Sequence, residues 1–201
     1  MIYELATLTI TVGSAARAVA AIGADCAAGG GRLLGCFIAE IGALNRIFVL
    51  RGFADEAAQA RERERVLRSA SPFGCGDLLA AIAIDRYRPF PDIPPVEPGA
   101  YGAIYELRSY VLKIGGLTPT LAAWAEALPA RMALSRMIVA MYTLDGAPRI
   151  SHLWPYADLT QRAALRTEAV QRGIWPPKST GWLTPEMHST ICLPADISPL
   201  H

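Results

Sequence analysis

The 201-residue sequence lacks the short motifs that mark most cofactor and metal sites. No GxSxG, P-loop, HExxH or dinucleotide-binding glycine pattern occurs in it. The cysteines are widely spaced and form no CxxC pair, so neither a zinc ribbon nor a disulfide scaffold is predicted. We therefore expect reduced, mostly buried thiols, no bound metal and no cofactor. The four cysteines are Cys26, Cys36, Cys75 and Cys192.

A strong net charge and a long apolar run are also missing. The 19 Lys and Arg nearly balance the 18 Asp and Glu, which leaves no basic face for a nucleic acid. The alanine-rich stretch Ala15–Ala28 is interrupted by Arg17 and Asp25, which favours a packed helix over a membrane segment. The first residues carry no basic signal-peptide region. We expect a cytoplasmic protein with neither a nucleic-acid nor a membrane partner.

The sequence does contain an internal repeat. "IYELATLTITVG" from Ile2 returns as "IYELRSYVLKIG" from Ile104. After each copy, the patterns predict a helix, a hairpin, a second helix and a last strand. This βαββαβ order is ferredoxin-like and leaves one face of each sheet uncovered, so each copy should bury that face on the other. The predicted fold class is α+β, with two tandem ferredoxin-like repeats forming a pseudo-dimeric α+β barrel within one chain.

The predicted boundaries follow the composition. Five prolines in "RPFPDIPPVEPG" exclude a helix there and predict a stiff, extended linker. Repeat 1 is placed at 1–88, the linker at 89–100 and repeat 2 at 101–201. In repeat 2, Thr118 is the predicted N-cap of a helix, and Asp145-Gly146 the predicted primed turn of the hairpin.

Two segments of the second half carry a family resemblance. "YELRSYVLKIGG" from Tyr105 and "SHLWPYADLTQRAALR" from Ser151 resemble the NIPSNAP family of the dimeric α+β barrel superfamily. The first half resembles a drifted copy, in which Ala6 replaces the arginine of the family pattern. The resemblance implies a barrel formed by facing sheets.

The resemblance implies little about function, because the biochemical role of the family is poorly defined. Relatives elsewhere in the superfamily include cofactor-independent oxygenases, isomerases and haem-using enzymes. An enzyme that performs proton transfer or oxygenation on an apolar or aromatic substrate is therefore permitted, with haem as the alternative cofactor. The expected partners are a small-molecule ligand and, as an open alternative, a second copy of the chain.

Alternate residues of the second strand copy place Glu106, Arg108 and Tyr110 on one face. Because the other face is more apolar and suits the helices, we expect these three side chains to point into the barrel. Glu106 and Arg108 either form a structural ion pair there or hold a polar ligand.

His152 and Trp154 also share a strand face. A cavity histidine can move a proton or orient a substrate carbonyl, with Trp154 as an apolar wall, although a structural histidine is the alternative. If the protein is an enzyme, His152 is the predicted base or hydrogen-bond donor and Arg108 anchors a substrate anion. Glu106 then orients Arg108.

Three further residues complete the predicted site. Trp175 and Trp182 flank the loop "PPKSTG" and are candidates to cap the cavity mouth, with packing on the barrel rim as the alternative. His188, on the last strand, is a weaker candidate. The leading hypothesis is a small-molecule-binding barrel, and the alternative is a non-catalytic binding or interaction protein whose barrel is filled by side chains.

Overall fold

Eight strands and four helices build the molecule, in the same order in both halves of the chain. The computed structural model describes residues 1–91 and 93–201. The elements are β1 (Ile2–Ile10), α1 (Ala15–Ala28), β2 (Arg32–Ile41), β3 (Arg46–Phe53), α2 (Glu56–Arg68), β4 (Leu79–Pro89), β5 (Ile104–Leu112), α3 (Leu117–Leu134), β6 (Val139–Thr143), β7 (Arg149–Tyr156), α4 (Leu159–Gln171) and β8 (Leu183–Pro194).

The strands form a closed antiparallel barrel. The first half contributes the order β4-β1-β3-β2 and the second half β8-β5-β7-β6, which is the ferredoxin-like order in both cases. β2 pairs with β8, and β4 pairs with β6, so each sheet edge is closed by the other half. The predicted α+β barrel of two ferredoxin-like repeats is confirmed.

The two halves use the same local devices at equivalent positions. Gly13 and Gly115 follow the first strand of each half, and both have φ of +78°, a conformation that favours glycine. Asp55 and Asp158 each accept a 2.7 Å hydrogen bond from the backbone N–H three residues on, which caps α2 and α4. The sequence repeat is therefore also a structural repeat.

The barrel interior is packed mainly with apolar and aromatic side chains from both sheets. Tyr3 and Leu5 of β1 meet Tyr105 and Leu107 of β5 in one cluster. The linker and the end of the chain join this cluster through Val96 and Leu200. None of the residues of this interior cluster comes from α1, α2, α3 or α4, so the helices lie outside the barrel.

The predicted direction of the polar strand face is wrong. Glu106, Arg108 and Tyr110 lie on the side of the sheet that the helices cover, as do His152 and Trp154. The expectation assumed that a charged face would avoid the helices. Instead, α4 supplies arginines that pair with the buried carboxylate, while the interior takes a separate apolar set from both sheets that includes Tyr3, Leu5 and Tyr105.

Two local predictions in the second half also need correction. α3 begins at Leu117 with Gly116 at its N-cap, so Thr118 lies inside the helix. The connection between β6 and β7 spans residues 144–148, longer than a two-residue primed turn, although Gly146 does adopt φ of +66°.

The remaining predictions about the fold concern the cysteines, the linker and the repeat boundaries. The four cysteines are free and buried, as predicted. Pro89 ends β4, and the described residues of the linker beyond it lie in no helix or regular strand. The backbone N–H of Val96 donates to the Tyr3 hydroxyl at 3.1 Å. The repeat boundaries at 88 and 101 stay a prediction. No helix in the described residues is long and apolar enough to cross a membrane.

Candidate functional site

A cavity of about 240 Å³ lies in the second half, between the outer face of the sheet and the helices. β5 and β7 form its floor, α3 and α4 its walls, and the segment 175–180 one side of its mouth. Five of the eight residues predicted from the sequence line this cavity: Arg108, Tyr110, His152, Trp154 and Trp175. The structure brings these five residues together, outside the barrel; that they form a functional site stays a prediction.

Three tryptophans form much of the wall. The ring centres of Trp124 and Trp175 are 4.9 Å apart, and those of Trp154 and Trp175 are 5.7 Å apart, both edge to face. Trp124 belongs to α3. It is buried, but it also lines the cavity. The wall is rigid and aromatic, which suits a flat apolar ligand.

His152 is held as a neutral imidazole. The indole N–H of Trp154 donates to His152 Nδ1 at 2.6 Å, and because indole is only a donor, Nδ1 must carry the lone pair. The proton of the neutral ring is then on Nε2, which is buried and has no partner among the described residues. Burial, reinforced by the charge of Arg108, lowers the pKa of His152 to about 3.

Glu106 lies behind the cavity wall and organises the arginines. It is fully buried and accepts hydrogen bonds from Arg108 at 2.8 Å, Arg162 at 2.5 Å and Ser189 at 2.6 Å. Burial alone would raise the pKa of Glu106, but the hydrogen bond from Arg162 and the charge of Arg108 outweigh it and lower the pKa to about 2. Glu106 is therefore an ionised positioning group and does not itself line the cavity.

Arg131 is a cavity residue that the sequence reasoning missed. Its side chain is 2% exposed, and its Cζ atom lies 4.3 Å from the centre of the Trp154 ring. Nη1 donates to Ser135 Oγ at 2.5 Å, whereas Nε has no partner among the described residues. Burial lowers the pKa of Arg131, and no carboxylate of the described residues pairs with it.

Two predicted residues lie outside this site. Trp182 is 41% exposed and does not line the cavity. His188 lines a separate cavity of about 190 Å³ in the barrel, beside Tyr87 and Ser151, and its side chain is 72% exposed. The prediction that both belong to one site with His152 is therefore wrong. Alternation along β8 directs His188 to the barrel side.

The cavity does not fit a haem or a metal ion. A histidine that ligates a metal usually donates its other ring N–H to a neighbour, but His152 Nδ1 accepts from Trp154 and the proton is on the free nitrogen. The volume of about 240 Å³ also falls below the usual range of drug-sized sites. No group of three or more His, Cys, Asp or Glu in the described residues could hold a metal ion.

The barrel with its outer helices defines a class, the dimeric α+β barrel proteins, here with both half-barrels in one chain. A candidate monooxygenase from Lactobacillus acidophilus NCFM is similar over 96% of this chain and 93% of its own, with a TM-score of 0.66 and 11% identity. An anthrone oxidase-like protein is similar over 96% of this chain and 91% of its own, with a TM-score of 0.65 and 10% identity. At such identities the likeness concerns the fold alone.

The family follows from the sequence match. The NIPSNAP family model matches residues 3–71 and 105–199, and the chain belongs to the NIPSNAP family. Protein NipSnap homolog 2 of Mus musculus is 35% identical over 100 residues, which cover 48% of this chain and 36% of the mouse protein. Its Homo sapiens counterpart is 34% identical over 100 residues, with 48% and 35% covered. The match thus spans about a third of the length of these relatives.

Proposed function

We propose that the cavity of the second half binds a small molecule with an aromatic or apolar body. The observation that carries this proposal is an aromatic cavity lined by His152, whose buried Nε2–H has no partner among the described residues. A buried polar atom without a partner costs free energy, and a ligand that accepts its hydrogen bond would recover that cost.

The size of the cavity limits the ligand. At about 240 Å³ it is slightly below the range of about 300 to 1,000 Å³ that is typical of drug-sized ligands. A dry cavity of about 150 Å³ is known to accept benzene. A single substituted ring is therefore the ligand that the volume favours.

Of the two roles predicted for His152, base and hydrogen-bond donor, we propose the donor. Because Nδ1 is occupied by Trp154 and Nε2 carries the proton, the ring has no free lone pair for a general base. Its pKa of about 3 also keeps it neutral near pH 7. Proton-transfer and oxygenation chemistry stay predictions from the family resemblance, as does a homodimer, and binding is the function that we assign first.

The alternative, a protein without a ligand, predicts that the same residues only hold sheet and helices together. It draws support from the barrel interior, where side chains from both sheets form a packed cluster. It leaves the unpartnered nitrogen of His152 without a role. We therefore rank it second.

Intrinsic fluorescence provides the test, since three of the four tryptophans line the cavity. In a Trp182→Phe background, titration with phenol, benzamide and benzoate should change the emission of the remaining tryptophans. A ligand at about one hundred times its dissociation constant should also stabilise the fold by about 2.7 kcal/mol.

Matched variants locate the binding. Trp175→Leu should weaken it, whereas Phe48→Leu, which changes the wall of the separate cavity in the barrel, should leave it intact. If no compound of the panel alters emission or melting temperature, the binding proposal is wrong.

A further inference from the structure

We infer that the ligand of this cavity is an aromatic carboxylate and that Arg131 binds its anionic group. The inference rests on the proposed function and names the class of ligand. Three arginines line the cavity, and no carboxylate does: Arg108, Arg131 and Arg166.

The neighbouring carboxylate does not neutralise these arginines. Glu106 is a single charge shared between Arg108, Arg162 and the more distant Arg166, whose Nη1 is 3.9 Å from its Oε2. The wall therefore carries a positive excess, in a space where charges are poorly solvated. A ligand with one negative charge would reduce that excess.

Arg131 is better placed than Arg108 to bind the anion. Arg108 already donates to Glu106 from Nη1 and to the Tyr110 hydroxyl from Nε. Arg131 donates from Nη1 to Ser135 and has Tyr156 as a further side-chain hydrogen-bond partner, but its Nε–H is buried without a partner among the described residues. A planar guanidinium with free donors matches a carboxylate in a bidentate geometry.

Trp154 contacts both side chains that have a buried donor without a partner, Arg131 and His152. The guanidinium of Arg131 lies over its ring, and its indole N–H fixes the orientation of the His152 ring. The side chains with unpartnered donors, Arg131 and His152, are therefore positioned by the same aromatic residue. Two N–H groups without acceptors suit a group with two acceptor oxygens, and the tryptophan rings suit the aromatic body that carries it.

The test compares benzoate with benzamide, which have nearly the same shape and differ in charge. In the Trp182→Phe background, benzoate should bind at least tenfold more tightly than benzamide near neutral pH, because charge-assisted hydrogen bonds are about twice as strong as neutral ones. In Arg131→Met, this preference should fall to threefold or less, while benzamide still binds. Arg131→Lys should retain part of the preference.

Arg136→Met is the matched control. Arg136 lies five residues further along the chain, is exposed and does not line the cavity, so its loss removes the same charge from the chain without touching the site. Its variant should keep the full preference for benzoate. An equal loss of preference in Arg136→Met would assign the effect to overall charge and overturn the role of Arg131.

Two other results separate the inference from the proposed function. Benzamide that binds as tightly as benzoate to the unmodified site would overturn the inference and support the binding proposal. Failure of both compounds at 10 mM, roughly the weak limit for so small a ligand, would overturn both.

Discussion

The two halves of this barrel have the same frame but fill the space between sheet and helices differently. Glu4 and Glu106 occupy equivalent positions, and each is fully buried. Glu4 bonds Arg51 of β3 and Gln59 of α2, which places a compact polar network against the first-half helices. Where Arg51 stands, the second half has Trp154, which lines the cavity instead.

The helices differ as well. α1 ends at Ala28 and is followed by Gly29. There is no room for a side chain at this position, because a Cβ added to Gly29 would lie 2.7 Å from both Arg65 Nη2 and Glu62 Oε1. α3 is four residues longer and passes through Pro129, so Arg131 falls where α1 would have continued into Gly29. In the first half, the buried charges of Glu4, Arg51 and Glu62 therefore pair with one another. In the second half, Arg131 lines a cavity. Two copies of one fold thus fill the space between sheet and helices differently, with an ion-pair network in one and a cavity in the other.

The largest expected difference between the halves is in the free energy of unfolding that is lost when the buried glutamate of each half is replaced. Glu4→Ala should cost about 3 to 5 kcal/mol, because Arg51 is fully buried and cannot reach water. Glu106→Ala should cost less, about 2 kcal/mol, because Arg162 is 25% exposed and can turn outwards. Urea unfolding at pH 7 measures both. A larger loss in Glu106→Ala would contradict the difference between a closed and an open half.

His152 should make the second half sensitive to acid. Its pKa is about 3 in the folded protein and 6.5 as the ordinary value, so the unfolded chain binds the proton first as pH falls. Stability is therefore retained above pH 6.5 and lost below it, by at most about 1.4 kcal/mol per pH unit for this group.

Between pH 6.5 and 4.5, the free energy of unfolding of His152→Asn should fall by about 2 to 3 kcal/mol less than that of the parent protein, because asparagine does not titrate. The amide oxygen of the asparagine can still accept from Trp154. Unfolding measured across this range provides the check. The exposed residue offers the control, because His188→Asn should leave the acid loss unchanged. An identical pH profile in His152→Asn and the parent protein would contradict the burial of a neutral imidazole.

Arg131 should be a stability cost when no ligand is bound. Removing a buried cation without a paired carboxylate, as in Arg131→Met, should raise the free energy of unfolding by about 1 to 2 kcal/mol. The exposed control Arg136→Met should not raise it, and should lower it by at most about 1 kcal/mol, because Arg136 Cζ lies 4.0 Å from the centre of the Tyr101 ring. Destabilisation by Arg131→Met would mean that stacking on Trp154 outweighs desolvation and that the residue is structural.

The smallest expected effect is one that the halves should share. Asp55→Ala and Asp158→Ala each remove a 2.7 Å cap bond at a helix start, and each should cost about 1 kcal/mol. Melting temperatures of the two variants measure this directly. A difference of more than about 1 kcal/mol between them would mean that the common frame is not equally supported in both halves.

The frame was predictable because its signals are local. The repeated strand, and the patterns for a helix, a hairpin, a second helix and a last strand after each copy, predicted elements that the structure confirms. The set Arg108, Tyr110, His152 and Trp154 was also predictable, since strand alternation places these residues on common faces.

The side of the sheet that this set faces could not be predicted by the same means. Local alternation separates two faces but does not say which one the helices cover, and the pairing of Glu106 with Arg162 joins residues 56 positions apart. Arg131 was not predictable because it lies in α3 beyond Pro129, and a proline disfavours the interior of a helix. Only the packed structure brings that arginine over Trp154.

A crystal structure of the protein with bound benzoate would show whether the cavity of the second half binds a carboxylate. We expect the ring among the tryptophans of the second half, with the carboxylate within hydrogen-bond distance of Arg131 and His152 Nε2. A cavity filled by rearranged side chains, or benzoate bound only inside the barrel beside Tyr87, would contradict it.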